Sequence, residues 1–124
     1  VITVSLNENT IVTGSPQITL ETGATDGVGV YSSGSGGTAL SFNYTVDASH
    51  NSPDLDYTST TALILNGGTI KDKVGLNADL TLPAPGQSGS LSSNKNILII
   101  CKKYILFVNA IKCFFKKTLI FHPL

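Results

Sequence analysis

From Leu40 to Asp47 the chain alternates without a break. Leu40, Phe42, Tyr44 and Val46 are large, whereas Ser41, Asn43, Thr45 and Asp47 are small or polar. Successive side chains on a strand point to opposite faces, so this rhythm predicts a strand with one dry and one wet face. Shorter versions recur. Ile2, Val4 and Leu6 alternate with Thr3, Ser5 and Asn7, and Ile18 and Leu20 alternate with Gln17, Thr19 and Glu21. Val28 and Val30 stand between Gly27, Gly29 and Tyr31, and Leu80 and Leu82 flank Thr81. Ala62 to Leu65 is continuously apolar and reads as a central strand covered on both sides.

The punctuation between these runs suits strands. Gly14-Ser15-Pro16 breaks the chain before Gln17, and Ser33-Gly34-Ser35-Gly36-Gly37 is long enough for a hairpin loop. Asn66-Gly67-Gly68 predicts a hairpin between Ala62–Leu65 and Thr69–Lys71. Pro83-Ala84-Pro85-Gly86 stops the Leu80 run. The pattern predicts an all-β chain, an antiparallel β-sandwich of about seven short strands. The expected core is Val4, Leu6, Ile18, Leu20, Val30, Leu40, Phe42, Tyr44, Val46, Leu63, Leu65, Ile70, Leu80 and Leu82.

Composition divides the chain in two. Residues 1–100 hold all eight acids and three of the eight lysines, a net of −5, with no arginine. No basic stripe lies there, so the footprint of a nucleic-acid binder is missing. Residues 101–124 hold the other five lysines and no acid, and both cysteines, Cys101 and Cys113. A disulfide framework or thiolate metal site is thereby excluded from residues 1–100.

The two parts are read as a module over 1–100 and an atypical hydrophobic, basic tail over 101–124. The uncharged stretch Tyr104–Ile111 is far shorter than the roughly 20 residues needed to span a bilayer. The tail reads first as sequence outside the module, appended after a frame change or truncation, or disordered. Membrane contact by it is not expected. An amphipathic helix lying on anionic lipid, a terminal strand and a partner-binding segment are the other readings.

Val12-Thr13-Gly14-Ser15-Pro16-Gln17-Ile18-Thr19-Leu20-Glu21-Thr22-Gly23 resembles a recurrent string of bacterial immunoglobulin-like or cadherin-like tandem repeats. Tyr31–Gly36, Leu40–Val46, Asp54–Leu63, Leu65–Asp72 and Leu80–Gly86 continue the resemblance in order. It covers about 100 of the 124 residues. Such repeats occur in very large cell-surface and secreted proteins, of adhesin or swimming-motility type. The resemblance implies an immunoglobulin-like sandwich, a structural or adhesive role, an extracellular or cell-surface location and neighbouring repeats of the same parent chain as partners. It also implies a first strand ahead of Val1. After Asp72 the family often has Gly-Asn, whereas here Gly75 is followed by Leu76 and then Asn77.

Candidate chemistry is sparse, and no enzyme is expected. No phosphate loop, His-Glu metal pair or nucleophile elbow is present. His50, beside Ser49, reads as a solvated loop histidine, because adjacency in sequence is no evidence of a triad. His122 lies in the tail. Calcium takes six to eight oxygens from carboxylates, carbonyls and water. Asp54 and Asp56 would point the same way on an extended segment, with Asp47 across a turn, and are the candidate Ca²⁺ ligands. Asp72, Asn77 and Asp79 form a second polar loop. The competing reading makes all these acids solvated edge and turn residues. An alternative function is a carbohydrate-binding module, with a glycan ligand stacked on an exposed aromatic among Tyr31, Phe42, Tyr44 and Tyr57.

Overall fold

The computed structural model describes the backbone of residues 1–106 and 108–118 and the side chains of 1–101. Eleven antiparallel strands and one short helix are present among them. In chain order they are β1 (Ile2–Ser5), β2 (Ile11–Thr13), β3 (Gln17–Glu21), β4 (Gly27–Ser33), β5 (Ala39–Tyr44), β6 (Asn51–Ser52), β7 (Asp56–Tyr57), β8 (Leu63–Ile64), β9 (Thr69–Lys71), α1 (Leu91–Asn94), β10 (Asn96–Leu106) and β11 (Val108–Thr118).

The largest sheet runs β1-β5-β4-β3, and the outer edge of β3 is shared by β7 at Leu20 and Glu21 and by β8 at Gln17 and Ile18. A second sheet runs β11-β10-β6, and β2 pairs β9. Strands β3, β4 and β5 are consecutive, so they form a meander with short connections.

The two-residue rhythm places the core. Ile2, Ile18, Leu20, Leu40 and Phe42 point inward from the large sheet, and the last four are at most 1% exposed. Leu55, Tyr57, Ala62, Leu63, Ile70, Ile97 and Ile99 meet them. Fully burying one such side chain stabilises by about 1.5–3 kcal/mol. Leu55, Ile97 and Ile99 were not among the expected core. Leu55 hides between two acids, and the isoleucines lie in the lysine-flanked run after Asn94.

Strand β4 runs opposite to expectation. Gly27 and Gly29 face inward, while Val28 and Val30 are 42% and 38% exposed. A Cβ on Gly27 would meet Tyr44 Cε2 at 2.6 Å, and one on Gly29 would meet Ile18 Cγ2 at 3.0 Å. Neighbouring side chains fill the inner side of β4, so this strand contributes backbone there and turns its valines out.

Three other expectations are corrected. Ala62–Leu65 is not a doubly covered strand: β8 is two residues long, and Ile64 is 44% exposed. Asn66-Gly67 does make a tight turn, with φ of 48° and 78° and Gly68 N–H donating to the Leu65 carbonyl at 2.8 Å. It does not make a hairpin, because β8 pairs β3 and β9 pairs β2. Leu80 and Leu82 are partly buried but lie in no strand, since Leu82 N–H bonds only the Thr60 carbonyl at 2.9 Å and Asp79 curls the chain back onto Thr81 N–H.

Strand β10 crosses position 100 without interruption, and its described backbone continues in register with β11 from Asn96↔Thr118 to Leu106↔Val108. Cys101 is disulfide-bonded, and Cys113, the only other cysteine of the sequence, is its register partner. Position 107 and positions 119–124, His122 among them, lie outside the described residues.

Candidate functional site

Asp54 and Asp56, the candidate calcium ligands, flank the fully buried Leu55. Alternation would give them one environment. Instead Asp54 is exposed and Asp56 is buried, so Leu55, Asp56 and Tyr57 are covered in succession. The cause is the strandless segment after Leu82, which folds over β7. Tyr57 donates its hydroxyl to the Pro83 carbonyl, and Asp56 Oδ2 receives Gly86 N–H at 2.9 Å and Ser92 Oγ–H at 2.6 Å. Asp56 Oδ1 receives Tyr57 N–H at 2.9 Å. Ser90 caps α1 by accepting Ser93 N–H at 3.2 Å, which fixes the turn that carries Ser92.

Burial alone would raise the proton affinity of Asp56. The bonds from Ser92, Gly86, Tyr57 and Ser90 outweigh it, and the carboxyl is held below its ordinary value. The charge is stabilised by dipoles, with no lysine of the described side chains among its partners. Asp54 does similar work outside. Its Oδ1 accepts Ile97 N–H at 3.3 Å, and the next residue, Leu55, donates N–H to the Ile97 carbonyl at 2.8 Å. A cation would have to displace these donors. Among the described residues, no group of three or more His, Cys, Asp or Glu stands in position to hold a metal ion.

The second polar cluster is the turn at Asp47. Its Oδ1 accepts both the N–H and the hydroxyl of Ser49, at 3.1 and 3.2 Å, and His50 N–H closes the turn on the Asp47 carbonyl at 3.1 Å. The Ser49 backbone and then its hydroxyl hold the Asp47 carboxyl below its ordinary value.

This turn folds His50 inward. His50 is 7% exposed, which corrects its reading as a solvated loop residue. Its ring stacks on Tyr44, with centroids 5.6 Å apart and planes 23° apart. Nδ1 accepts Asp47 N–H at 3.1 Å and lies 2.8 Å from the Tyr44 hydroxyl. Nδ1 thus serves as the acceptor that closes the Asp47 turn. Burial, and then the Asp47 charge, push the Tyr44 phenol up. Ser49 is committed to Asp47 and makes no nucleophile–base pair with His50. The available signal was Asp47-Ala48-Ser49, because an Asp-led turn brings the residue three places on back against the strand it has just left. Cys101 Sγ lies 2.9 Å from the Asp47 carbonyl oxygen, so β10 abuts the same turn.

The Asp72–Asp79 loop follows the same rule. Asp72 Oδ1 accepts Val74 and Leu76 N–H at 2.9 and 2.8 Å, and Asp79 Oδ1 accepts Thr81 N–H at 2.9 Å. Asn77 forms a bridge to Lys71. Asp72 and Asp79 thus each turn a carboxylate oxygen to a separate stretch of their own backbone.

None of the aromatic residues of 1–101 is fully exposed. Phe42 and Tyr57 are buried. Tyr31 and Tyr44 are half-buried, Tyr31 edge-on to Phe42 at 6.0 Å with its hydroxyl accepting Ser35 N–H at 2.9 Å. Among the described residues no helix is long and apolar enough to cross a membrane. Comparison with family models, curated proteins and solved structures gives no match.

Proposed function

We propose that the chain is a non-catalytic, immunoglobulin-like β-sandwich module that serves as a structural or adhesive unit of a bacterial cell-surface or secreted protein, working in series with neighbouring repeats. The observation that carries this reading is the use made of the acids. Asp47, Asp54, Asp56, Asp72 and Asp79 each accept a backbone N–H of their own chain. In each case the charge fastens a loop or a strand end. The resemblance to surface-protein repeats and the antiparallel sheets around one apolar core support the same reading. Such a unit acts by keeping its shape while load passes along the chain, so it needs no reacting group.

Force spectroscopy tests the role. The chain is held between two handles and stretched at constant speed. A mechanical module gives one cooperative rupture followed by extension of the whole folded length. Gradual extension at low force, without a rupture peak, would remove the proposal.

A further inference from the structure

The outer face of the large sheet carries an uncharged row that the core does not use. Val30 of β4 lies opposite Asn43 of β5 on one side and Gln17 of β3 on the other, and Gln17 lies opposite Ile64 of β8. Residues directly opposite in a sheet share a face, so Asn43, Val30, Gln17 and Ile64 stand side by side across the strands. Three strand spacings separate the two ends, about 14 Å. Val30 is 38% and Ile64 44% exposed, and Val28, the next residue of β4 on the same face, is 42% exposed.

Asn43, itself exposed, stands at one end of this row. Tyr44 and Thr45 follow it, and Asn-X-Thr with X other than proline is the acceptor signal for N-glycosylation. Of the nine asparagines in the sequence, only Asn43 has a hydroxyl residue two places on. The fold presents all three residues of the signal. Tyr44 turns to the opposite face, where its hydroxyl lies 2.8 Å from His50 Nδ1. That anchor leaves Asn43 and Thr45 on the solvent side, both exposed. Strand β5 ends at Tyr44, so Thr45 lies just beyond the ladder. Neither the Asn43 amide nor the Thr45 hydroxyl bonds to another described residue.

We propose that Asn43 is an N-glycosylation site, and that its glycan lies along the row over Val30 toward Ile64. The substrate class is a sugar activated as a diphosphate ester. Asn43 Nδ2 forms the new bond to the anomeric carbon. The bond from that carbon to the diphosphate oxygen breaks, and the diphosphate leaves with the electron pair. The nitrogen gives up one proton to a base of the transferase and remains part of an uncharged amide. A pyranose has apolar C–H faces and a rim of hydroxyls, so it covers Val30 and Ile64 while its rim meets the Gln17 amide. The added bulk keeps this uncharged face soluble. The modification goes beyond the load-bearing role and is read without force, so either can fail while the other stands.

The first test is tandem mass spectrometry of the chain taken from the cells that produce it. A sugar adduct on Asn43 is expected. It should be lost in Asn43→Gln and in Thr45→Val and kept in Thr45→Ser. Both positions are exposed, so these variants are expected to retain the circular dichroism of the parent chain. A second test needs no variant. The folded 124-residue chain is treated with an Asn-X-Thr-directed oligosaccharyltransferase and a lipid diphosphate oligosaccharide. One glycan is expected, on Asn43. In the product, methyl resonances of Val30 and Ile64 should shift and show contacts to sugar protons. Those of Val74, exposed on a different loop, should stay in place.

Three results would overturn the proposal. One is an unmodified Asn43 in the chain from its own cells. Another is transfer to a short peptide carrying Asn43-Tyr44-Thr45 but not to the folded chain, which would show that the ladder hides the acceptor. The third is a glycan on Asn43 that leaves Val30 and Ile64 unshifted, which would remove its placement along the row.

Discussion

Gly86 N–H and Asp56 Oδ2 meet at 2.9 Å across thirty residues of sequence. With Ser92 on the same oxygen, this contact ties the strandless segment to β7. Replacing one oxygen with an amide would leave donor facing donor. Asp56→Asn is therefore expected to cost about 1–3 kcal/mol at neutral pH, measured by urea denaturation. A variant within experimental error of the parent chain would refute the assignment.

The same carboxylate sets an acid limit. Its folded proton affinity lies below the ordinary value, so the unfolded chain binds its proton first as pH falls. The contribution of Asp56 is complete above the unfolded carboxylate pKa, near 3.9, and is lost as pH drops through the lower folded value. Melting temperature is thus expected to hold from neutral pH to about 5 and to fall below about 4. Asp56→Asn should show a shallower fall. Parallel pH profiles would show that some other group is responsible.

In β4, size and importance are inverted. Val30→Thr is expected to change stability by no more than about 0.5 kcal/mol, because Val30 faces solvent. Gly27→Ala is expected to cost about 1–3 kcal/mol, since its Cβ would press on a Tyr44 ring that His50 holds in place. Tyr44→Ala should relieve that penalty, and a double-mutant cycle reads the coupling directly. Additive effects would sink the explanation.

His50→Phe keeps the ring stack and deletes the Nδ1 acceptor. It leaves Asp47 N–H and the Tyr44 hydroxyl without their partner. The expected loss is about 1–3 kcal/mol by chemical denaturation, with Tyr44→Phe losing less because it leaves the Asp47 N–H with its acceptor. If the histidine were solvated, both changes would fall within about 0.5 kcal/mol of zero.

Much of the all-β architecture could be read in advance, and the reason is local. Leu40 and Phe42 announce themselves because a strand with one covered face needs a period of two, and Gln17–Glu21 follows the same rule. Reading failed where a neighbour overrode that rule. Glycines face inward in β4 because Tyr44 and Ile18 already occupy the space. Asn66-Gly67 fixes a turn but cannot say which strands its arms will join. At the candidate site the acids were visible as residues and their tasks were not. Whether Asp56 binds a cation or its own loop depends on where Gly86 and Ser92 fold back, and spacing carries no record of that.

The β2–β9 ladder has a kinetic consequence. Thr13 and Thr69, which touch across it at 2.6 Å, are 56 positions apart. The β3–β4–β5 meander, by contrast, closes through short connections. Bringing distant segments together costs chain entropy before any bond rewards it, so the meander should nucleate and the β2–β9 clasp should form late. Pulsed hydrogen exchange during refolding should then protect β4 amides ahead of those in β2, and the reverse order would overturn this sequence of events. A chain emerging from synthesis would hold β2 idle until about half its length had followed it, although β1 meets β5 sooner. During that interval an unpaired β2 is open to the wrong neighbour, which makes the tempo of production, as much as final stability, a determinant of yield.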